Sequence, residues 1–462
     1  MKPLQVVLIS TYELGRQPFG LASPAAWLQA AGCTVTCQDL TVTALESSTI
    51  QSADLVAFHL PMHTATRIAV PLIERVKALN PQSHLCCYGL YAPLNERYLR
   101  NLGVKTILGG EFEEGLVALA QALQTAQQAK PAELPLISLQ RQQFQVPARA
   151  DLPTLQHYAF LEMGDDRPRT VGYTEATRGC KHTCRHCPIV PVYGGQFRVV
   201  QRAVVLADIR NQVAAGAEHI TFGDPDFFNG PGHAIPIVEA LHAEFPDLTY
   251  DVTIKVEHLR QQVALLPILR DTSCLFITSA VEAVDDEILR LLDKGHTRAD
   301  FIEVAQTLRE LGLTLNPTFV AFNPWTSVGG YRELLQVIAD LDLVDNVAPI
   351  QYAIRLLITA QSALLTLPSI KALVHPFDEQ ALVYPWYHPD PHVDALQQAM
   401  IPLIEQAEKT GQSRREIFAQ VWALTNEAVG VTPTGAEAET MLAVLARERA
   451  RFTPRLSEPW YC

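Results

Sequence analysis

Two series of short apolar runs, each run followed by a helix-length stretch, divide this 462-residue chain. The first series has strand-like runs at residues 4–10, 55–58, 85–88 and 106–108, with helical stretches at 22–31, 65–79, 93–102 and 112–127. Runs that are apolar throughout, without alternation, suit strands buried on both faces. The pattern therefore predicts an α/β fold, with a doubly wound parallel sheet over residues 1–127. Ligands of such a sheet sit beyond the carboxyl ends of its strands, which puts loops 15–20, 59–64, 89–91 and 109–111 on one rim. His59 and His63 lie there and are read as loop histidines closing a strand end.

Residues 128–168 break the alternation with Pro131, Pro135, Pro147 and Pro153 and read as a linker packed along the surface. The second series then places strands at 170–177, 218–222, 249–254, 274–279, 313–322 and 348–354, separated by helices at 203–215, 235–244, 258–265, 285–292 and 299–311. Six parallel strands with helices outside predict an incomplete TIM-like barrel over residues 169–365, with its chemistry at the carboxyl rim. Residues 366–462 start with prolines among aromatic residues. They continue as helices near 393–409, 414–428 and 435–451, a small helical region expected to cover the barrel mouth.

The formal net charge of −13 argues against a nucleic-acid partner, because a phosphate-contacting surface needs a basic excess. No apolar run approaches the length of a membrane span, and the first residues lead straight into a strand, so a cytoplasmic protein with a small-molecule substrate is expected. Nine cysteines, an odd number, fit a reducing compartment. Cys33, Cys37, Cys86, Cys87 and Cys274 stand in or beside apolar stretches and read as core residues.

Three further cysteines are of another kind. Thr177-Arg178-Gly179-Cys180-Lys181-His182-Thr183-Cys184-Arg185-His186-Cys187-Pro188 spaces Cys180, Cys184 and Cys187 as CxxxCxxC, with Gly179 and Pro188 supplying tight turns. Soft thiolates this close together suit an iron-sulfur cluster or zinc. A 4Fe-4S cluster on three cysteines leaves one iron open for a small molecule. The other reading is a structural zinc site completed by His182 or His186.

This loop resembles the signature of the radical S-adenosylmethionine (SAM) enzymes, in which the open iron binds the amino and carboxylate groups of SAM and SAM is reductively cleaved. His186 stands where that family usually has an aromatic residue. The resemblance implies cofactor-binding roles along the barrel rim: Gly223, Asp224 and Pro225 for the SAM amino group, Ser279 and Glu282 near its carboxylate and ribose, and Phe322 beside adenine. Lys255 ends the third strand of the same rim. Asp293-Lys294-Gly295-His296-Thr297 resembles a helix end of the same subgroup, with Gly295 read as its left-handed cap. A reducing partner such as flavodoxin or ferredoxin is also implied.

The N-terminal domain resembles the cobalamin-binding-like domain preceding many such barrels. Its first loop lacks the Asp-x-His-x-x-Gly signature whose His ligates cobalt. Some relatives bind cobalamin without that His and others have lost it, so both outcomes stand. The opening TYELGRQPFGLASPAAWL and the ending EPWYC together resemble a bacterial group of radical SAM proteins whose tails end Cys-Cys-Ala-Glu-Pro or Cys-selenocysteine-Ala-Glu-Pro. That implies a selenocysteine after Cys462 in the native protein and a catalytic part for Cys462 with a thiophilic substrate. Arsenite is one such substrate, by likeness to a radical SAM enzyme that transfers the 3-amino-3-carboxypropyl group of SAM to arsenic. The alternatives are a cobalamin-dependent methyltransferase and a non-catalytic metal-binding or redox-sensing protein.

Overall fold

The computed structural model describes residues 3–125, 134–431, 441, 445–446 and 452–458. Strands β1 (Gln5–Ser10), β2 (Thr34–Asp39), β3 (Leu55–His59), β4 (His84–Tyr88), β5 (Thr106–Gly110) and β6 (Ile137–Ser138) form one sheet in the order β2-β1-β3-β4-β5-β6. Every neighbouring pair is parallel. Side chains alternate into two cores, as a doubly wound sheet requires. Val7, Ile9, Val56, Phe58 and Cys87 pack against the helix His63–Leu79. Leu8, Leu55, Ala57 and Cys86 pack under the helices Phe19–Ala30 and Glu113–Thr125.

Strand β2 was not foreseen. Its sequence TVTCQD is polar and its first four residues are exposed or half-buried, so the edge position leaves no apolar run to read. The expected helix over 93–102 is two short ones, Tyr91–Leu94 and Glu96–Asn101. Strand β6 falls inside the segment read as a linker, which therefore begins as part of the first sheet.

The second sheet comprises β7 (Phe160–Glu162), β8 (Arg169–Thr174), β11 (His219–Phe222), β12 (Thr249–Thr253), β13 (Cys274–Glu282), β14 (Thr314–Phe319) and β15 (Arg455–Leu456), in the order β14-β13-β12-β11-β8-β7-β15. A separate two-stranded ribbon pairs β9 (Thr177–Gly179) with β10 (Phe197–Val199). Five strands of the large sheet are parallel, and β7 and β15 add antiparallel at one edge. The helix-facing core holds Ile220, Phe222, Tyr250, Val252, Ile277 and Leu315 beneath the surrounding helices.

The sixth parallel strand expected at 348–354 is a correction. Pro349–Tyr352 is a 3-10 turn, and the chain returns to the sheet only as a single bridge between Phe322 and Arg355. Pro349 has no N–H for a ladder, and the Gln351 side chain accepts the Phe319 N–H at 2.8 Å where a backbone carbonyl would otherwise do so.

In the C-terminal region the helices Pro391–Lys409 and Arg414–Val429 pack on the barrel core through Met400, Ile404, Phe418 and Val421. The third expected helix, 435–451, lies almost wholly outside the described residues, as does Cys462. Beyond β15, Ser457 donates its N–H to Phe160 O and Glu458 accepts from the Tyr12 hydroxyl, tying the tail to the first rim loop. No helix among the described residues is long and apolar enough to cross a membrane.

Candidate active site

The cysteine loop leaves the barrel after β8 and is braced at its root. Asp224, at the end of β11, is 2% exposed and accepts from the Thr177 hydroxyl at 2.6 Å and the Ala176 N–H at 2.9 Å. Burial pushes its carboxyl up to about 7 against those two donors. Gly179 follows with φ +75, and a Cβ there would lie 2.3 Å from the Tyr193 ring, so only glycine fits the turn. Asn229 donates to Gly179 O at 3.2 Å and accepts the Lys181 N–H at 3.2 Å, and the Cys180 thiol points at its Oδ1 from 3.6 Å. On the far side the Arg185 N–H donates to Leu292 O and the Leu364 N–H to Arg185 O.

Cys180, Cys184 and Cys187 are free thiols. Burial pushes Cys180 up to about 11 and Cys187 up to about 12. Their thiolates therefore form with a soft metal centre that offsets the lost hydration, which is the fit a cluster requires of its ligands. The donor atoms of Cys180, His182 and Asp226 lie within 4.8 Å of one another, a mixed set that includes one of the histidines considered for zinc.

Charged groups from successive strand ends surround the loop. Glu282, at the end of β13, takes a left-handed backbone with φ 70 where the register with β14 shifts. For a residue with a side chain this conformation is strained, and it turns the carboxylate toward the loop. Its Oε1 lies 3.0 Å from His186 Nε2 and 3.2 Å from Lys294 Nζ. Burial alone would raise this carboxyl, but the Lys294 ammonium and His186 more than offset it and hold it down to about 2. Lys255 Nζ pairs with Glu257 at 3.1 Å. His296 is buried, and desolvation with Lys294 and Lys255 nearby lowers it to about 4.

The residues expected to hold SAM thus divide. Lys255 and Glu282 stand with the cysteines in one ring of charge. Gly223 is packed so closely that a Cβ would fall 1.8 Å from the Tyr173 hydroxyl, and with Asp224 and Pro225 it forms the turn that braces the loop root. Ser279 is fully buried on the strand face it shares with Ile277 and Val281 of the helix-side core. Phe322 is also fully buried and stacks on Tyr331 at 4.7 Å. The left-handed cap of the helix Asp286–Leu292 is Asp293 (φ 59), and Gly295 also has positive φ, packed against Glu257.

Sequence reasoning missed Asn229, His258 and the role of Arg178. Arg178 is 7% exposed and pairs with Glu113 at 2.7 Å, Glu175 at 2.7 Å and Glu111 at 3.6 Å, among the rings of Phe19, Phe112 and Phe144. It fastens the base of the cysteine loop to the rim of the first sheet. Two glutamates after β5 and an arginine before the first cysteine were the only signal available in the sequence.

On that rim the crevice between β1 and β3, where the strand order reverses, is filled. His59 Nδ1 lies 2.8 Å from Glu13, its ring stands against Tyr88 and Phe112, and a Cβ on Gly20 would fall 2.0 Å from the imidazole. His59 and Glu13 thus occupy the crevice between the strands.

Residues 174–324 match the Radical SAM superfamily. Among curated proteins the chain is 25% identical over 212 residues to the ribosomal protein uS12 methylthiotransferase RimO of Parabacteroides distasonis, covering 41% of this chain and 43% of that protein. It is 24% identical over 340 residues to the hopanoid C-3 methylase of Methylococcus capsulatus, covering 70% and 63%. The chain therefore spans less than two thirds of the length of either relative. Among solved structures, the cobalamin-dependent S-adenosylmethionine radical enzyme OxsB superposes with a TM-score of 0.69 at 12% identity, over 96% of this chain and 78% of that one. The radical S-adenosylmethionine methyltransferase TsrM from Kitasatospora setae gives 0.56 at 17% identity, over 73% and 70%. These two likenesses are of fold. The matched residues are the barrel with its CxxxCxxC loop, which is a radical SAM domain.

Proposed function

We propose that this enzyme reductively cleaves SAM at a 4Fe-4S cluster held by Cys180, Cys184 and Cys187 and uses the cleavage to modify a small substrate at the barrel mouth. The observation that carries this is the set of three free cysteines on one braced loop within the superfamily's domain. When bound, the cluster and SAM supply the reductive breaking of a carbon–sulfur bond, with the electron coming from a flavodoxin- or ferredoxin-like donor. The chain's own residues position and exclude water. In this reading Lys255 offers its ammonium to the SAM carboxylate, and Glu282, held ionised by Lys294, faces the SAM ribose and amino group. Gly223, Asp224 and Pro225 keep the loop root in place, while Ser279 and Phe322 support the rim from the helix side.

The substrate we favour is thiophilic and arsenic-like, with transfer of the 3-amino-3-carboxypropyl group. The tail resemblance supports this, as does the anchoring of Glu458 on Tyr12, which fixes the described end of the tail beside the interdomain rim. Cys462 is the group proposed to hold such a substrate, because soft donors bind soft centres. Reading the codons after Cys462 tests the expected selenocysteine. Product analysis after anaerobic reconstitution, SAM and dithionite tests the reaction: an aminocarboxypropylated arsenical with methylthioadenosine supports it, and 5′-deoxyadenosine alone contradicts the transfer.

A second reading, cobalamin-dependent methyl transfer, draws on the cobalamin named for OxsB and the methylase activity named for the hopanoid enzyme. A corrinoid would have to displace His59 and Glu13 from the crevice. The visible spectrum of protein produced with cobalamin decides, since an absence of retained corrinoid removes that reading.

A further inference from the structure

The loop after β1 sends one cation across to the barrel. It takes two left-handed residues in succession, Leu14 with φ 53 and Gly15 with φ 64, and the Arg16 N–H closes the turn on Glu13 O at 3.1 Å. Leucine is strained in that region, and such strain persists where the surroundings require the turn. The turn delivers the half-buried Arg16 side chain to β8, with its guanidinium 4.9 Å from the centre of the Tyr173 ring. Tyr173 pairs with Thr221 of β11, so both stand on the face of the sheet opposite Ile220, Phe222 and the helix-side core. A Cβ on Gly223 would fall 1.8 Å from the Tyr173 hydroxyl, which puts that hydroxyl against the turn bracing the cysteine loop.

The charge on Arg16 is uncompensated. The carboxylates around Tyr173 are those of Glu175, Glu13 and Asp224, and Glu458 lies against Gly15. Each is held by another group. Glu175 accepts from Arg178 at 2.7 Å, Glu13 faces His59 at 2.8 Å, Asp224 accepts from Thr177 and the Ala176 N–H, and Glu458 accepts from Tyr12. Among the described residues no acid pairs with Arg16, and its Nε is shielded from water without a hydrogen-bond partner. A buried donor left unbonded is costly, and an incoming acceptor removes that cost. In a chain of net charge −13, an anion needs such a local cation to be held.

We infer that Arg16 and the Tyr173 hydroxyl form an anion-binding pair at the barrel mouth, one partner from each sheet, which takes a carboxylate or oxyanion group of the substrate. The guanidinium can give two parallel N–H bonds to such a group, and the phenol a further one. Burial, with Glu175 adding to it, pushes the Tyr173 phenol up, so its hydroxyl keeps the proton it donates. The inference rests on the substrate-modifying function proposed above. SAM carries a carboxylate of its own, which that reading gives to Lys255, and the test separates the two sources.

The test is equilibrium dialysis of the anaerobically reconstituted full chain with two probes, methylarsonate for an oxyanion and succinate for a carboxylate, and with SAM in a separate arm. Arg16→Met, Arg16→Lys and Tyr173→Phe are compared with the wild type. The wild type is expected to bind at least one probe, and Arg16→Met to bind it about tenfold or more weakly, the effect of losing a charge-assisted hydrogen bond. Arg16→Lys and Tyr173→Phe should fall between, with SAM affinity close to the wild type throughout. The inference is overturned if the wild type binds neither probe, or if R16M binds as the wild type does. It is also overturned if R16M loses SAM as much as the probe, which would assign Arg16 to the SAM carboxylate. Should R16M not fold, wild-type binding by both R16K and Y173F overturns it. Product analysis with dithionite on the same preparations keeps the two proposals apart. A wild type that cleaves SAM but binds neither probe overturns this inference alone, and one that binds a probe through Arg16 but yields no cleavage product overturns the proposed function and leaves the anion site.

Discussion

Glu282 and Lys294 stand 3.2 Å apart, both buried beneath the cysteine loop, with His186 on the same carboxylate oxygen. The pair links the end of β13 to the loop from within the barrel. Its carboxylate also has a left-handed backbone that a merely structural ion pair would not need.

Removing the carboxylate leaves the Lys294 ammonium buried without a partner. Glu282→Ala is expected to lower unfolding stability by about 3–5 kcal/mol, the usual cost of breaking a buried pair. Urea denaturation of the unreconstituted protein measures this. Glu282→Gln, which can still accept from Lys294, should lose less, and equal losses in the two variants would contradict the role assigned to charge.

Arg178 is expected to matter for a different reason, since it joins the first sheet to the base of the loop. Arg178→Met should cost about 3–5 kcal/mol by leaving three acidic side chains without their counter-charge. The loss should grow as pH rises through about 7, where Glu111, pushed up by burial, ionises. Denaturant midpoints of wild type and variant at pH 5 and pH 8 check both points, and a gap that does not widen at pH 8 would count against the cluster of charge.

Asp224 gives a pH dependence of opposite character to an exposed carboxylate. Its folded-state carboxyl is pushed up to about 7 by burial, while the unfolded chain titrates near the ordinary value of about 4. The folded state therefore binds the proton more tightly, and stability falls as pH rises from about 4 to about 7, then levels. Glu111, also raised to about 7, adds to the same slope. Asp224→Asn should flatten part of this fall in a denaturant-midpoint series, and an unchanged slope would refute the assignment.

Gly179→Ala should damage the loop directly. The added Cβ meets the Tyr193 ring and the Gln196 carbonyl, and alanine is strained at φ +75. Overpacking of this kind costs about 1–3 kcal/mol, and here it falls one residue before Cys180. Iron bound per chain after reconstitution is expected to drop, while Gly194→Ala, which carries the strain of φ +55 but whose Cβ meets nothing within 4 Å, should bind more iron than Gly179→Ala does.

Much of this was legible in the sequence where the signal was local. Buried parallel strands announce themselves as apolar runs, and the cysteine spacing lies within a single loop, so both cores and the ligand loop could be read without coordinates. β2 escaped because half of it faces water. The stretch 348–354 looked like a strand because it is apolar, yet Pro349 and the Gln351 side chain replace the ladder. Asp226, His258 and His182 come from three elements whose meeting depends on how β8, β11 and β12 pair, and no sequence pattern carries that register. Ser279 shows the reverse problem: its motif position suggested the rim, while strand alternation turns it to the helices.

The central claim is that the cluster on Cys180, Cys184 and Cys187 cleaves SAM. Chromatographic analysis of SAM incubated with the anaerobically reconstituted protein and dithionite tests it most directly. The account predicts 5′-deoxyadenosine or methylthioadenosine from the wild type and none from Cys184→Ala. A wild type that holds a four-iron cluster and yields neither product would contradict it.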